Sequence, residues 1–225
     1  MATRIIKPSE IISEDALKLM LLEQRTMREN FRFPITEVQA QTFLKAAYKF
    51  EVYKRGINFV DDERTNNHIN DLAKFLTSKS QKFGIMICGT YGNGKTTLVK
   101  CLQTAIGLMA SKDILDVRTH LEIYKEIEII KLHNDYERYR NVCRKDLLAI
   151  DDLGNESTEV VNYGNITYPV VEMLEFRYDE RLFTVITSNL TPSQIRKKYG
   201  DRIADRFNEM MFVINYKDEK TYRGA

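Results

Sequence analysis

The stretch GTYGNGKTT, Gly89 to Thr97, decides how the rest of this chain is read. It follows the apolar run GIMIC and precedes KTTLVKCLQTAIGLMA, whose spacing predicts a helix. Gly89, Gly94, Lys95 and Thr96 match the pattern G-x-x-x-x-G-K-[ST]. Glycines in such a loop let backbone N–H groups turn inward around a polyphosphate, and the following helix aims its positive end at the same point. A nucleotide is therefore expected on Gly89, Thr90, Tyr91, Gly92, Asn93, Gly94, Lys95, Thr96 and Thr97. Lys95 is the expected contact to the β- and γ-phosphates, and the Thr96 hydroxyl a ligand to Mg²⁺. A chance glycine-rich turn is the alternative; a strand before and a helix after weigh against it.

Three further stretches lie downstream. DLLAIDDLG ends the apolar residues Leu147 to Ile150 in two aspartates, and open α/β sheets bind ligands beyond the C-terminal ends of their strands. Asp151 suits a Mg²⁺ role and Asp152 suits the group that polarises an attacking water, with Glu156 a weaker alternative. Taken alone, the pair also reads as an acidic turn. FTVITSNL ends in Ser188 and Asn189. The Asn189 amide either meets a γ-phosphate or its attacking water, or belongs to a β–α turn in which Thr191 and Pro192 open the next helix. YGDRIADRFNEM carries Arg202 and Arg206 four residues apart on a short helix that Asp201 would cap. They are either a solvated face paired with Asp205 and Glu209, or ligands of a phosphate on another molecule.

The runs FGIMICG, LLAIDD, FTVITSN and MFVIN are short, apolar and separated by helical stretches, as buried parallel strands are. An α/β sheet follows. Upstream, SEDALKLMLLEQRTMREN reads as a helix, FRFPI as a break, and Thr36 with Gln39 as a capping box for the next helix. RTNNHINDLAKFL is a third helix. A boundary near Gly56 divides a helical region, 1–56, from the α/β part, 57–225, which the resemblance described below makes a partner-binding region and an ATPase domain.

The chain has 34 basic and 32 acidic residues, so its bulk charge of +2 argues neither for nor against nucleic acid. Its three cysteines have no C-x-x-C spacing and its three histidines are scattered; free thiols are expected, and zinc is not. No run approaches a membrane span and the start lacks a signal-peptide core, so a cytoplasmic location is expected. YKEIEIIKLHNDYERYRNVCRK, Tyr124 to Lys145, interleaves aromatics and cations in the manner of single-strand binders. Acidic residues are mixed in, and a solvated amphipathic helix is the first reading.

In its order, the set GTYGNGKTT, LLAIDDLGNE, EFRYDERLFTVITSNL and YGDRIADRFNEM resembles the DnaC/DnaI-type replicative helicase loaders, AAA+ ATPases with the transposition helper IstB as a near relative. The resemblance runs from roughly Phe59 to the C-terminus. It implies a P-loop AAA+ core with a five-stranded parallel sheet flanked by helices, ATP and Mg²⁺ as cofactors, and self-association through shared nucleotide sites. A replicative DNA helicase bound by the N-terminal helices and single-stranded DNA are the implied partners. By motif, Asn189 resembles sensor 1, Arg206 the arginine finger, Arg202 a second basic group of that motif, and Arg223 in TYRGA a sensor 2 arginine. Arg177 in FRYDER is a further residue expected near a subunit boundary. Asp152 stands where many relatives carry Glu, and the Cys/His cluster of some loaders is missing. The implied function is an ATP-hydrolysing helicase loader, with a transposition helper or a nucleotide-gated adaptor as alternatives. No N-K-x-D guanine signature supports a GTPase.

Overall fold

The computed structural model describes residues 13–24, 28–162 and 165–216. Three helices, α1 (Glu14–Gln24), α2 (Glu37–Tyr53) and α3 (Glu63–Thr77), precede β1 (Gly84–Gly89). Then come α4 (Lys95–Ala110), β2 (Glu122–Lys125), α5 (Glu126–Leu132), α6 (Tyr136–Cys143) and β3 (Leu147–Leu153). A small hairpin of β4 (Val160–Asn162) and β5 (Asn165–Thr167) leads to α7 (Pro169–Asp179) and β6 (Phe183–Ser188). Two helices, α8 (Pro192–Tyr199) and α9 (Asp201–Met210), run into β7 (Met211–Tyr216).

Five strands form one parallel sheet in the order β2-β3-β6-β1-β7, the α/β architecture expected. Side chains alternate across its two faces. Ile85, Ile87, Ala149 and Val185 pack under α2, α3 and α4, while Met86, Cys88, Leu148, Ile150 and Ile186 pack against the helices α5 to α9. Because both faces are covered, β1, β3 and β6 read as continuous apolar runs. Placing β6 between β1 and β3 sets three strand ends side by side at one edge of the sheet.

The expected boundary at Gly56 falls inside a single packed unit. Thr36 and Gln39 form the capping box of α2, whose Leu44, Ala47 and Tyr48 share one core with Ile85, Ile87 and Leu98. Arg32 donates to the carbonyls of Ser78, Ser80 and Lys82, and the Phe33 N–H to that of Leu76. The segment around α2 is therefore bound to the sheet through α3 and α4.

The stretch from Tyr124 to Lys145 is not one helix. It supplies the end of β2 and the two short helices α5 and α6. Edge strand β2 has too few apolar residues to declare itself. Tyr139 is buried and its hydroxyl donates to the Pro169 carbonyl at 2.6 Å, and Tyr124 is half-buried against Glu122. Only Tyr136 of the three is exposed, which removes the continuous aromatic face a single strand would stack upon.

Arg177 corrects another expectation. It is 0 % exposed rather than at a subunit boundary. Its guanidinium donates to Thr184 Oγ1 (2.9 Å) and to the carbonyls of Cys143 (2.9 Å), Lys145 (2.7 Å) and Phe183 (2.7 Å). Burial lowers its pKa to about 9, which still leaves it protonated at neutral pH. Arg177 ties α7 to the entrances of β3 and β6. Replacing it with Met strands three buried carbonyls, and urea unfolding is expected to register a loss of about 3 kcal/mol. An unchanged midpoint would show those carbonyls to be hydrated.

Candidate nucleotide site

The loop from Gly89 to Thr96 joins β1 directly to α4. A Cβ on Gly89 would stand 2.5 Å from the Tyr216 carbonyl oxygen and 3.0 Å from Asn93 Nδ2, so only glycine lets the loop pass between β7 and its own interior. Lys95 folds back over the loop: its Nζ donates to the carbonyls of Gly89 (2.7 Å) and Thr90 (2.6 Å) and to Asn93 Oδ1 (3.3 Å). A polyphosphate offers the same ammonium stronger acceptors within the same cradle.

Thr96 Oγ1 lies 3.1 Å from both carboxylate oxygens of Asp151. Asp151 is buried, and its Oδ1 also accepts the Thr187 hydroxyl at 2.6 Å. Thr187 in turn accepts the Asp152 N–H at 2.8 Å. The pairing of β3 with β6 steps from Ile150–Ile186 to Leu153–Ser188, so β3 carries one extra residue where the aspartates lie. Neighbours on a regular strand point to opposite faces. Here the bulge, with Asp152 at φ +61°, lets Asp152 line the cavity beside Thr96 while Asp151 sits beneath it.

The cavity measures about 700 Å³, within the range of small-molecule sites. The loop from Tyr91 to Thr97 lines it with Asp152 and Asn189, and Tyr48, Val52, Phe59 and Val60 add apolar surface. Gly89 and Thr90 do not line it; they supply carbonyls to Lys95. Glu156, the weaker candidate acid, does not line it either. Both polar atoms of the Asn189 amide and Asn93 Nδ2 are buried without a hydrogen-bond partner among the described residues. Both residues belong to the lining of the cavity, and buried amides without a protein partner are commonly met by water or a ligand. Sequence reasoning missed Tyr48, Val52, Phe59 and Thr187. The first two lie on a helix assigned to another region, and a threonine inside an apolar strand looks like packing.

Arg202 and Arg206 lie away from this cavity. Arg206 is held by α7: its guanidinium reaches Asp179 (3.1 Å) and Glu175 (3.6 Å) and stacks over Tyr178 at 4.6 Å. Arg202 pairs with Glu175 at 3.1 Å. Asp205 and Glu209 instead bond Arg196 and the Tyr178 hydroxyl. Gly200, not Asp201, occupies the N-cap of α9; Asp201 bonds Arg196. Arg223 lies outside the described residues.

Among the described residues no group of three or more His, Cys, Asp or Glu is placed to hold a metal. A nucleotide-bound Mg²⁺ asks for less, namely one or two hard oxygens beside the phosphates. The Thr96 hydroxyl and the Asp151 carboxylate, already in contact, fit that requirement. No helix among the described residues is long and apolar enough to cross a membrane.

Strand order, loop and bulged acidic strand together give a P-loop α/β fold, a five-stranded parallel sheet flanked by helices. Among solved structures, the chain is similar to the DnaC helicase loader at 17% identity and TM-score 0.55, over 71% of this chain and 93% of that one. DnaI is similar at 20% identity and TM-score 0.51, over 70% and 87% of the two chains. AMPPCP-bound DnaA from Aquifex aeolicus is similar at 17% identity and TM-score 0.51, over 74% and 50%. No family model matches the sequence. No curated protein matches it.

Two substitutions test the site. Lys95→Ala is expected to abolish binding of a fluorescent ATP analogue while the protein stays folded by circular dichroism; undiminished binding would refute the cradle. Thr187→Val deletes the hydroxyl between the two aspartates. Its expected cost is about 1–3 kcal/mol in urea unfolding, with weaker Mg²⁺-dependent nucleotide binding, and neither should occur if Thr187 is mere packing.

Proposed function

We propose that this chain is an ATP-binding and ATP-hydrolysing helicase loader, which assembles a replicative DNA helicase onto single-stranded DNA during replication. The observation that carries the catalytic part is the Asn189 amide, buried and unpartnered on the cavity wall that Asp152 and Lys95 also line. In this reading Lys95 and the loop N–H groups bind the phosphates, and Thr96 and Asp151 hold Mg²⁺. Bound Mg²⁺ neutralises charge on the β- and γ-phosphates. Asp152 takes up the proton of the attacking water, and Asn189 orients that water or the γ-phosphate. The apolar wall of Tyr48, Val52 and Phe59 receives the base.

Arg206 completes the site of a neighbouring subunit, with Arg202 beside it. Its place outside the lining of its own cavity supports a role in trans, and its ion pairs with Glu175 and Asp179 hold it on α7 meanwhile. Those ion pairs must be exchanged for phosphate contacts, which makes hydrolysis slow until subunits assemble. Arg223 contacts the nucleotide as a sensor. The helicase is bound through the N-terminal helices, where α1 exposes Leu17 and Leu19. Likeness in fold to a helicase loader and to DnaI supports this choice of process.

Arg206→Ala is expected to leave ATP binding by the monomer intact and to lower assembly-dependent turnover by about 10³–10⁵. Normal turnover in the assembled state would make Arg206 structural. Asp152→Asn should bind nucleotide normally and hydrolyse about 10²–10⁴ times more slowly. For the partner, co-purification with the replicative helicase of the same cell is expected. Its failure, alongside association with a transposase, would transfer the ATPase to transposition.

A further inference from the structure

Glu126 is the first residue of α5, and β2 runs into it without a loop. Lys125 is paired with Asp151 across the sheet, so the next residue stands at the edge where β3 delivers its aspartates. Glu126 is 1 % exposed. Its Oε2 accepts the N–H groups of Gly154 and Glu156, both at 2.9 Å, and its Oε1 accepts the Tyr199 hydroxyl at 2.5 Å. A buried carboxylate is tolerated only when its lone pairs are met by donors, and here three converge on it.

Two of those donors belong to the segment that leaves Asp152. Gly154, one of the two, is gripped again through its carbonyl, to which Lys198 Nζ donates at 2.6 Å. It has φ +106°, and a Cβ there would stand 2.5 Å from the Leu190 side chain, so neither its conformation nor its surroundings accept another residue. Asp152 itself holds a left-handed backbone that a residue with a Cβ disfavours, and such conformations persist only where both flanks are held. Thr187 fixes the upstream flank through the Asp152 N–H. The Glu126 carboxylate fixes the downstream one.

We infer that Glu126 is a positioning residue for Asp152, and that through Tyr199 it ties the placement of that acid to α8 and α9. The link continues because Arg196 of α8 bonds both Asp201 and Asp205 of α9, the helix that carries Arg202 and Arg206. A displacement of α9 thus reaches Lys198 and Tyr199, and from them Gly154. The consequence for turnover rests on the proposed ATPase reading; the positional claim does not.

The test uses Glu126→Gln, which keeps the shape but turns an amide NH₂ toward groups that donate. Hydrogen exchange at the Gly154 and Glu156 amides is expected to rise about tenfold or more, with β1 and β6 unchanged. Nucleotide Kd should stay within about threefold while turnover of the assembled protein falls about tenfold to hundredfold. Unchanged exchange at both amides overturns the inference, as does a turnover loss that only tracks lost folding or lost nucleotide binding. Should Glu126→Gln fail to fold, Tyr199→Phe is the second variant. It is expected to lower turnover at unchanged Kd, and normal turnover overturns the link to α8. If the wild type binds nucleotide yet never hydrolyses it, the ATPase reading fails separately, and exchange at Gly154 and Glu156 alone decides the positional claim.

Discussion

The Thr187 hydroxyl is the joint on which the candidate site depends. It donates to Asp151 and accepts from the Asp152 backbone, so one side chain of β6 fixes two residues of β3. Asp151 then meets Thr96 at the start of α4, which brings β1 and its loop into the same arrangement. Without this joint the bulge would have no partner for its freed N–H, and a buried carboxylate would lose its shortest donor. Three segments distant in sequence are thereby held within hydrogen-bond reach of one another. This is the condition for acting together on one phosphate group.

Around that joint the cavity is lined by the loop, by Lys95 and by the strand ends at Asp152 and Asn189, together with apolar surface from α2 and the segment after it. A helix upstream of the sheet is thus part of the site it precedes, because Leu44 and Tyr48 sink into the core that supports β1. Electrostatics keeps the second cationic group apart. Arg206 is only 13 % exposed and its charge faces Glu175 and Asp179, although its Nη1 has no hydrogen-bond partner among the described residues.

Much of this was legible in the sequence, and the reason is range. The phosphate loop, the apolar strands β1, β3, β6 and β7, the capping box at Thr36 and the helix start at Thr191 and Pro192 each declare themselves within about ten residues. Strand β2 did not, since an edge strand with one half-buried isoleucine carries almost no period-two signal. Tyr139 reads from sequence as part of a solvated helix, or else as a base-stacking aromatic, because its partner, the Pro169 carbonyl, is thirty residues away.

By itself, then, the sequence determined the class of sheet, the loop chemistry and the acidic strand end, all of them written in local spacing and residue type. The tertiary structure alone decided that α2 lines the cavity with the loop, that β3 bulges at its aspartates, that Arg177 is interior, and that Arg206 rests on α7. It also brought Glu126 to Gly154. Each of these depends on pairing between residues far apart in the chain, where strand order and register choose the partner and no local pattern records the choice.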